Sequence, residues 1–465
     1  MLFNSLEYIY LLTASLALYW VSPSLRLRQT IVFCSSIYFY MSWSKIFVLL
    51  LLGMILLNWL IAGFMTKSRS KNWILFSTII NLSVLAYFKY ANFFLDNVNV
   101  LAHAQGLDFN FHLSVILPLG ISFYIFELIS YQIDIYRKKI EHDKDILSFS
   151  IFVLFFPHLI AGPICRAGQL VPQIKTMQVF SPEKIYKGFY FFLSGFALKC
   201  GVADGLSPYV NVIFHSPDAY SGFDNLMAIV GFGIQILCDF WGYSLMALGA
   251  AFGFGYILPA NFDAPYIATS IRDFWRRWHI TLSNWLRDYL YISMGGARVS
   301  PQWKIQRNLI VTMLLGGLWH GASWNFIIWG GIHGVALAVN RYFGQLDSNI
   351  YMVAIFKNKL IAWALTMVVV FVAWVFFRAV DFNTAMLMFR SIFQYSPGWL
   401  ETKLSPSFFE LLLFYVLLQY LVHTTTVGFE NYIKRPFTLS LIVASLVLYS
   451  LVYYVDGNDF IYFHF

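Results

Sequence analysis

The sequence predicts an all-α polytopic integral membrane protein with about ten transmembrane helices, two re-entrant segments and a cytoplasmic amphipathic helix. Three observations carry this expectation. Of 465 residues, 59% are hydrophobic and only 12% are charged, against roughly 25% charged in ordinary globular chains. Apolar stretches of about 20 residues, enough to cross the hydrocarbon as a helix, recur from one end to the other. An aromatic content of 20% suits a chain whose Trp and Tyr favour the bilayer interfaces and whose Phe favours the hydrocarbon. Neither an internal repeat nor a low-complexity linker divides the chain, so residues 1–465 read as one membrane domain.

Spans are expected at residues 1–21, 29–43, 46–65, 73–94 and 114–136. The first begins without a basic leader or a small-residue cleavage site and reads as a retained span rather than a signal peptide. Basic clusters follow the first span (Arg26, Arg28), the third (Lys67, Arg69, Lys71) and the fifth (Arg137, Lys138, Lys139). By the positive-inside rule these loops are cytoplasmic, which puts the N-terminus outside. Residues 152–163 are apolar, but Lys144 precedes them, Arg166 and Lys175 follow, and Pro157 and Pro163 interrupt them, so this segment is expected to be re-entrant.

Residues 187–209 then exit, the Lys- and Arg-free loop 214–224 lies outside, and 225–252 return. The following cytoplasmic stretch, 264–308, holds Arg272, Arg276, Arg277, Arg287, Arg298, Lys304 and Arg307. The glycine-interrupted run 309–340, ending at Arg341, reads as a bent or paired-half-helix hairpin. Spans at 360–377, 408–421 and 438–454, with Lys434 and Arg435 in the last inner loop, leave both termini outside. The net charge of +8 is spread over these short clusters rather than gathered on one basic domain. Lipid headgroups and an anionic donor are its natural partners, and nucleic acid is not. Cys34, Cys165, Cys200 and Cys238 are scattered without a Cys-x-x-Cys pair, so neither disulfides nor structural zinc are expected.

Two segments carry chemistry. At about 100° per residue, 270–291 places Phe274, Trp278, Trp285 and Tyr289 on one face and Arg276, His279, Ser283 and Arg287 on the other. Such an amphipathic helix serves either as a headgroup anchor or as a place where Arg276, Arg277 and Arg287 meet donor phosphates. The second segment sets Trp319, His320, Gly321, Trp324, Asn325 and His333 in an apolar run. A buried histidine can simply bond a neighbouring helix. The glycines around His320 instead suggest irregular backbone lining a polar passage, where a neutral imidazole is able to take a proton from an attacking hydroxyl. Trp319, Ser323 or Asn325 would then donate to a developing oxyanion. No carboxylate stands at ligand spacing from His279, His320 or His333, so no metal is expected. The chain also lacks a phosphate loop and a Gly-flanked serine elbow.

At these residues the chain resembles the membrane-bound O-acyltransferase superfamily, in its bacterial alginate O-acetylation branch. The resemblance runs nearly end to end and rests on Tyr87-Phe88-Lys89-Tyr90, Leu117-Pro118-Leu119-Gly120-Ile121-Ser122-Phe123-Tyr124, Phe156-Pro157-His158-Leu159-Ile160-Ala161-Gly162-Pro163, Phe274-Trp275-Arg276-Arg277-Trp278-His279, Trp285-Leu286-Arg287-Asp288-Tyr289-Leu290-Tyr291 and Gly316-Gly317-Leu318-Trp319-His320-Gly321. It implies a helical fold around a central funnel, a catalytic histidine at His320 and a second family histidine at His279. It further implies acetyl-coenzyme A as donor substrate, with no bound cofactor, and a periplasmic or membrane-anchored esterase-like partner completing transfer to a polysaccharide outside the bacterial inner membrane. Where the family stretch reads Ser-Gly-Tyr-Ser-Asp-Met-Ala, this chain has Trp241-Gly242-Tyr243-Ser244-Leu245-Met246-Ala247, so Leu245 replaces an acid.

Membrane O-acetyl transfer is the resulting expectation, with His320 as general base or transient acyl carrier and His279, Trp319, Asn325 and His333 in support. D-alanyl transfer for teichoic acids is the alternative within the class. A transporter or flippase of lipid-linked saccharide is the alternative outside it. A transporter should show inverted repeats and charged pairs at the midplane, and neither is evident in the sequence.

Overall fold

Serine, aspartate and asparagine side chains start most of the helices by accepting an orphan N–H of the first turn. Ser5 receives Tyr8 N–H, Ser24 receives Leu27, Asp145 receives Leu147, and Ser323 receives Asn325. The protein is described from a computed structural model covering residues 1–344 apart from 69 and 161, 358–427 apart from 395 and 396, and 441, 442, 444–446, 448, 449 and 452. All regular structure among the described residues is helical. The expected span at 438–454 lies largely outside those residues, as do Lys434 and Arg435.

Two units each have their own packing. The first, Met1–Phe189 with Ala247–Pro259, contains α1 (Leu6–Val21), α2 (Leu25–Met41), α3 (Lys45–Ser68), α4 (Lys71–Ala104), α5 (Ile121–Tyr136), α6 (Ile146–Leu154) and α7 (Ala167–Ile174). A buried amide network ties α3 to α4 and α5. Asn58 and Asn81 exchange amide bonds at 3.2 and 2.8 Å, Ser77 donates to Asn58 at 2.9 Å, and Gln132 donates to the Asn58 carbonyl at 2.6 Å. In a low-dielectric interior such polar contacts hold helices in register. The proline-broken segment is α6 followed by turns and an extended stretch leading into α7.

The second unit is Tyr190–Met246 with Ala260–Phe465. α8 (Pro182–Phe196) continues through a π-helical stretch, Ala197–Ala203, into α9 (Asp204–His215), and α10 (Gly222–Gly253) follows. Then come α11 (Ile271–Arg277), α12 (Ile280–Trp285) with a π-helical turn over Leu286–Tyr291, α13 (Trp303–His320), α14 (Trp324–Phe343), α15 (Lys359–Arg378), α16 (Phe382–Phe393) and α17 (Pro406–Val427). Among the described residues, six helices are long and apolar enough to cross a membrane: Lys45–Ser68, Lys71–Ala104, Pro182–His215, Gly222–Gly253, Lys359–Arg378 and Pro406–Thr424. The shorter α1, α2 and α5, of 16, 17 and 16 residues, occupy the other spans expected in the first 140 residues.

Three expectations change. The amphipathic helix over 270–291 is two short helices, because the chain breaks at Trp278 and His279, with His279 in the left-handed region at φ 41°, ψ 55°. The glycine-rich hairpin is longer and more regular than two half-helices. Lys304, Gln306 and Arg307 join α13, so α13 and α14 run 18 and 20 residues, about 27 and 30 Å. Its glycines permit close helix contact rather than irregular backbone: a Cβ on Gly317 would lie 2.1 Å from the Phe326 carbonyl oxygen, and one on Gly330 would lie 2.2 Å from that of Met313.

Finally, a buried ion cluster lies in two of the helices long and apolar enough to cross a membrane. Lys199 Nζ, in the π-helical stretch, lies 2.6 Å from Asp204 and 2.7 Å from Asp239 of α10, and all three are buried. In sequence they sit five and forty residues apart within apolar runs, so no pairing pattern exposes them.

Candidate active site

α13 ends at His320 because Gly321 turns into extended backbone at φ −162°, and the Ser323 cap starts α14 two residues later. This short link leaves His320 at the base of the hairpin with 3% exposure. Its ring meets Trp319 and Trp329 edge-on, each at 4.9 Å between centroids, and Phe377 of α15 at 5.3 Å. His333 lies one turn beyond Trp329 on α14 and is fully buried. It stacks on Phe274 at 6.0 Å and meets Trp275 and Trp329 at 5.1 and 4.8 Å. Neither of its ring nitrogens has a hydrogen-bond partner among the described residues.

His279 joins the same cluster from the break between α11 and α12. Its ring sits 4.6 Å from Phe240 and 6.2 Å from Trp319, so Trp319 is a neighbour of both His279 and His320. The expected place for His279, a polar helix face, gives way to complete burial. Asn261 holds the break: its carbonyl accepts Ile280 N–H at 2.9 Å, and its side-chain oxygen accepts from Thr281. Burial pushes the His279 imidazole down to about 3, so it is neutral. Trp319 neighbours both His279 and His320, and Trp329 neighbours both His320 and His333.

Asn325 is close in sequence to His320 but its amide donates to the Ala379 carbonyl at 3.0 Å. That contact pins the start of α14 to the end of α15 and occupies one of the two protons offered to an oxyanion.

A cavity of about 780 Å³ opens beside this cluster, lined among others by Arg272, Arg276, Arg287, Arg341, Ser283, Asn340 and Trp275. Trp275 is the shared wall, since its ring also touches His333 and Trp329. Thr312 and Met313 of α13 line the cavity too, and Thr312 precedes His320 by eight residues, about 12 Å along the helix axis. Arg276 and Arg287 thus line this cavity, while Arg277 is not among its lining residues. Its Nε reaches both carboxylate oxygens of Asp273 at 3.1 Å, and its Nη1 lies 3.4 Å from Asp263. Arg272 and Arg341 take its place at the cavity. Arg341 escapes sequence reading because it belongs to the far end of α14, and only the hairpin fold returns it to α11.

Among the described residues, Glu127, His158 and Cys165 bring three potential metal-ligating atoms within 4.8 Å of one another. Glu127 already accepts from His158 Nε2 and the Cys165 N–H, both at 3.0 Å, a latch between α5 and the proline-broken segment.

Buried histidines set among aromatic rings thus lie beside an arginine-lined cavity, in a chain whose family match makes it a membrane acyltransferase. The membrane-bound O-acyltransferase family profile matches residues 33–384, and the chain belongs to that family. It is 38% identical over 445 residues to the probable alginate O-acetylase AlgI of Azotobacter vinelandii, covering 94% of this chain and 87% of that one. It is 35% identical over 390 residues to the peptidoglycan O-acetyltransferase of Helicobacter pylori, covering 77% and 72%. The teichoic acid D-alanyltransferase of Bacillus subtilis is 27% identical over 234 residues, covering 48% and 59%.

Proposed function

We propose that the chain moves an acetyl group from cytoplasmic acetyl-coenzyme A to the outer face of the bacterial inner membrane, where an esterase-like partner completes O-acetylation of a polysaccharide. The observation that carries this is the convergence of Arg272, Arg276, Arg287 and Arg341 on one cavity whose Trp275 wall touches His333. Guanidinium groups match phosphate oxygens in charge and geometry. Four of them suit the several phosphates of coenzyme A better than the single phosphodiester of a carrier-bound D-alanine. In this reading the phosphates stay in the cavity, the thioester arm follows α13 toward His320, and His320 acts as general base or transient acyl carrier. The transferred alcohol proton ends on the departing thiolate, so the reaction is proton-neutral overall. General-base catalysis accounts for about 10²- to 10⁴-fold.

The buried Lys199 triad supplies one feature expected of a transporter. Enzyme and transporter part on one measurement. In nanodiscs carrying the purified protein, His320→Ala should abolish acetyl transfer from radiolabelled acetyl-coenzyme A while the protein accumulates and binds donor as before. Wild-type transfer in that variant would remove His320 from the chemistry. Saccharide flux without acetyl transfer would favour the transporter.

A further inference from the structure

Among the described residues His279 is hydrogen-bonded at Nδ1 only. Its Nδ1 lies 3.0 Å from Asn261 Oδ1, and the same oxygen receives the Thr281 backbone N–H at 3.3 Å and the Thr281 hydroxyl at 2.9 Å. A backbone N–H can only donate, which identifies this end of the Asn261 side chain as its oxygen. The amide nitrogen faces the other way and donates to Ser244 Oγ at 3.3 Å. An amide oxygen has no proton to give, so His279 Nδ1 must carry the hydrogen. A neutral imidazole has one N–H, and Nε2 is therefore the bare nitrogen.

That Nε2 is buried and has no hydrogen-bond partner among the described residues. Left-handed backbone at His279 is a strained choice for a side-chain-bearing residue, of the kind that collects where a functional group must be aimed. The groups facing the ring are Phe240, Phe262 and Trp319, with Asn261 and Thr281 at its Nδ1 edge, none of which ionises near neutral pH. His320, another titratable group of the cluster, contacts the same Trp319.

We propose that Asn261 is a positioning residue that locks His279 in its Nδ1–H tautomer, making Nε2 the hydrogen-bond acceptor for a hydroxyl-bearing substrate in the buried centre. The inference rests on reading that centre as the site of acyl transfer. The two histidines then play different parts. His279 accepts a hydrogen bond, through a tautomer fixed from behind, while His320 at the base of the hairpin keeps the role of general base or acyl carrier. Asn261 lies eighteen residues before His279, outside the family stretches that draw attention to the histidines.

Nitrogen-15 NMR of histidine-labelled protein in nanodiscs reads the tautomer directly, with His279→Gln to assign the signals. The expected spectrum has a protonated Nδ1 and an unprotonated Nε2. An Nε2–H tautomer or a doubly protonated ring in the wild type overturns the proposal. Asn261→Leu should mix the tautomers and lower kcat by about tenfold, with the KM for acetyl-coenzyme A changed less than about twofold, because the donor cavity is elsewhere. Asn261→Asp keeps an acceptor for His279 and Thr281, and the Ser244 hydroxyl can turn to donate to it. This variant should retain the tautomer and move the acid limb of the pH profile upward by about one unit, since a carboxylate favours the protonated ring. Thr281→Val removes one donor to the same oxygen without touching His279. A kcat loss there equal to that of Asn261→Leu, or wild-type kcat in Asn261→Leu, overturns the positioning role. Failure of the acyl-transfer reading shows separately, as no acetyl transfer from acetyl-coenzyme A by the wild-type protein while its tautomer is as expected.

Discussion

The ring of His320 meets the edge of Trp329 at 4.9 Å, with the two planes at 83°. Trp329 is itself buried and also contacts His333 at 4.8 Å, so one indole packs against two imidazoles. Trp329→Ala should cost about 3 to 5 kcal/mol through lost burial and the cavity left behind. Trp329→Phe should cost less and keep some turnover. Thermal unfolding of the purified variants, read beside acetyl transfer, checks both. Equal stability of the alanine variant and the wild type would contradict this packing.

Donor binding should divide the arginines. Replacing Arg272, Arg276, Arg287 or Arg341 singly by Gln removes a charge-assisted contact of roughly 1.5 to 3 kcal/mol, a loss of about ten- to a hundred-fold in affinity for acetyl-coenzyme A. Arg277→Gln should leave affinity within about twofold and cost up to about 1 kcal/mol of stability, because its partners are Asp273 and Asp263. Titration of each variant in nanodiscs is the measurement. Wild-type affinity should also fall as salt rises, and an unchanged affinity in all four cavity variants would leave those residues as headgroup anchors.

Close packing in the hairpin gives a sharp contrast between adjacent glycines. An alanine at Gly330 drives its Cβ to 2.2 Å from a backbone oxygen, whereas one at Gly331 meets only Leu314 Cδ2 at 3.5 Å. Gly330→Ala should therefore lose about 1 to 3 kcal/mol or more and accumulate poorly. Gly331→Ala should be neutral or gain up to about 1 kcal/mol from helix propensity. Expression level and melting temperature, compared between the two, decide it.

Membrane sidedness is open to thiol labelling. In a background lacking Cys34, Cys165, Cys200 and Cys238, single cysteines at Arg166 and Arg341 should resist an impermeant reagent in intact cells. One at Ser216 should react, as should one at Asn458, which lies outside the described residues. Labelling at both 166 and 341 from outside would overturn the re-entrant topology and move the arginine cavity to the wrong face.

The membrane class, the histidines and two of the cavity arginines were legible because each leaves a local mark: an apolar run, a motif, a charge beside an aromatic stripe. The break at His279 was not, since its cause is Asn261, and a periodicity read over 270–291 has no access to a residue outside that window. Arg277 looked equivalent to Arg276 in sequence, yet Asp273 one turn earlier and Asp263 on the preceding loop claim it. In the sequence, the glycines around His320 suggest a loosened backbone. In a regular hairpin the same residues mark where two helix surfaces nearly touch, and composition alone does not distinguish the two uses.

The buried Lys199 cluster also bears on how the chain enters the bilayer. Asp204 travels on the same continuous helix as Lys199, but Asp239 arrives on the next one. Alone in lipid, a carboxylate near a helix centre costs about 2.5 to 3.5 kcal/mol on translocon-insertion scales. Partitioning of α10 is thus tied to an ammonium already delivered by its predecessor. Biogenesis would proceed by lateral release of the two helices as a pair, and a ribosome-stalled chain ending between them would present the translocon with a half-finished charge set.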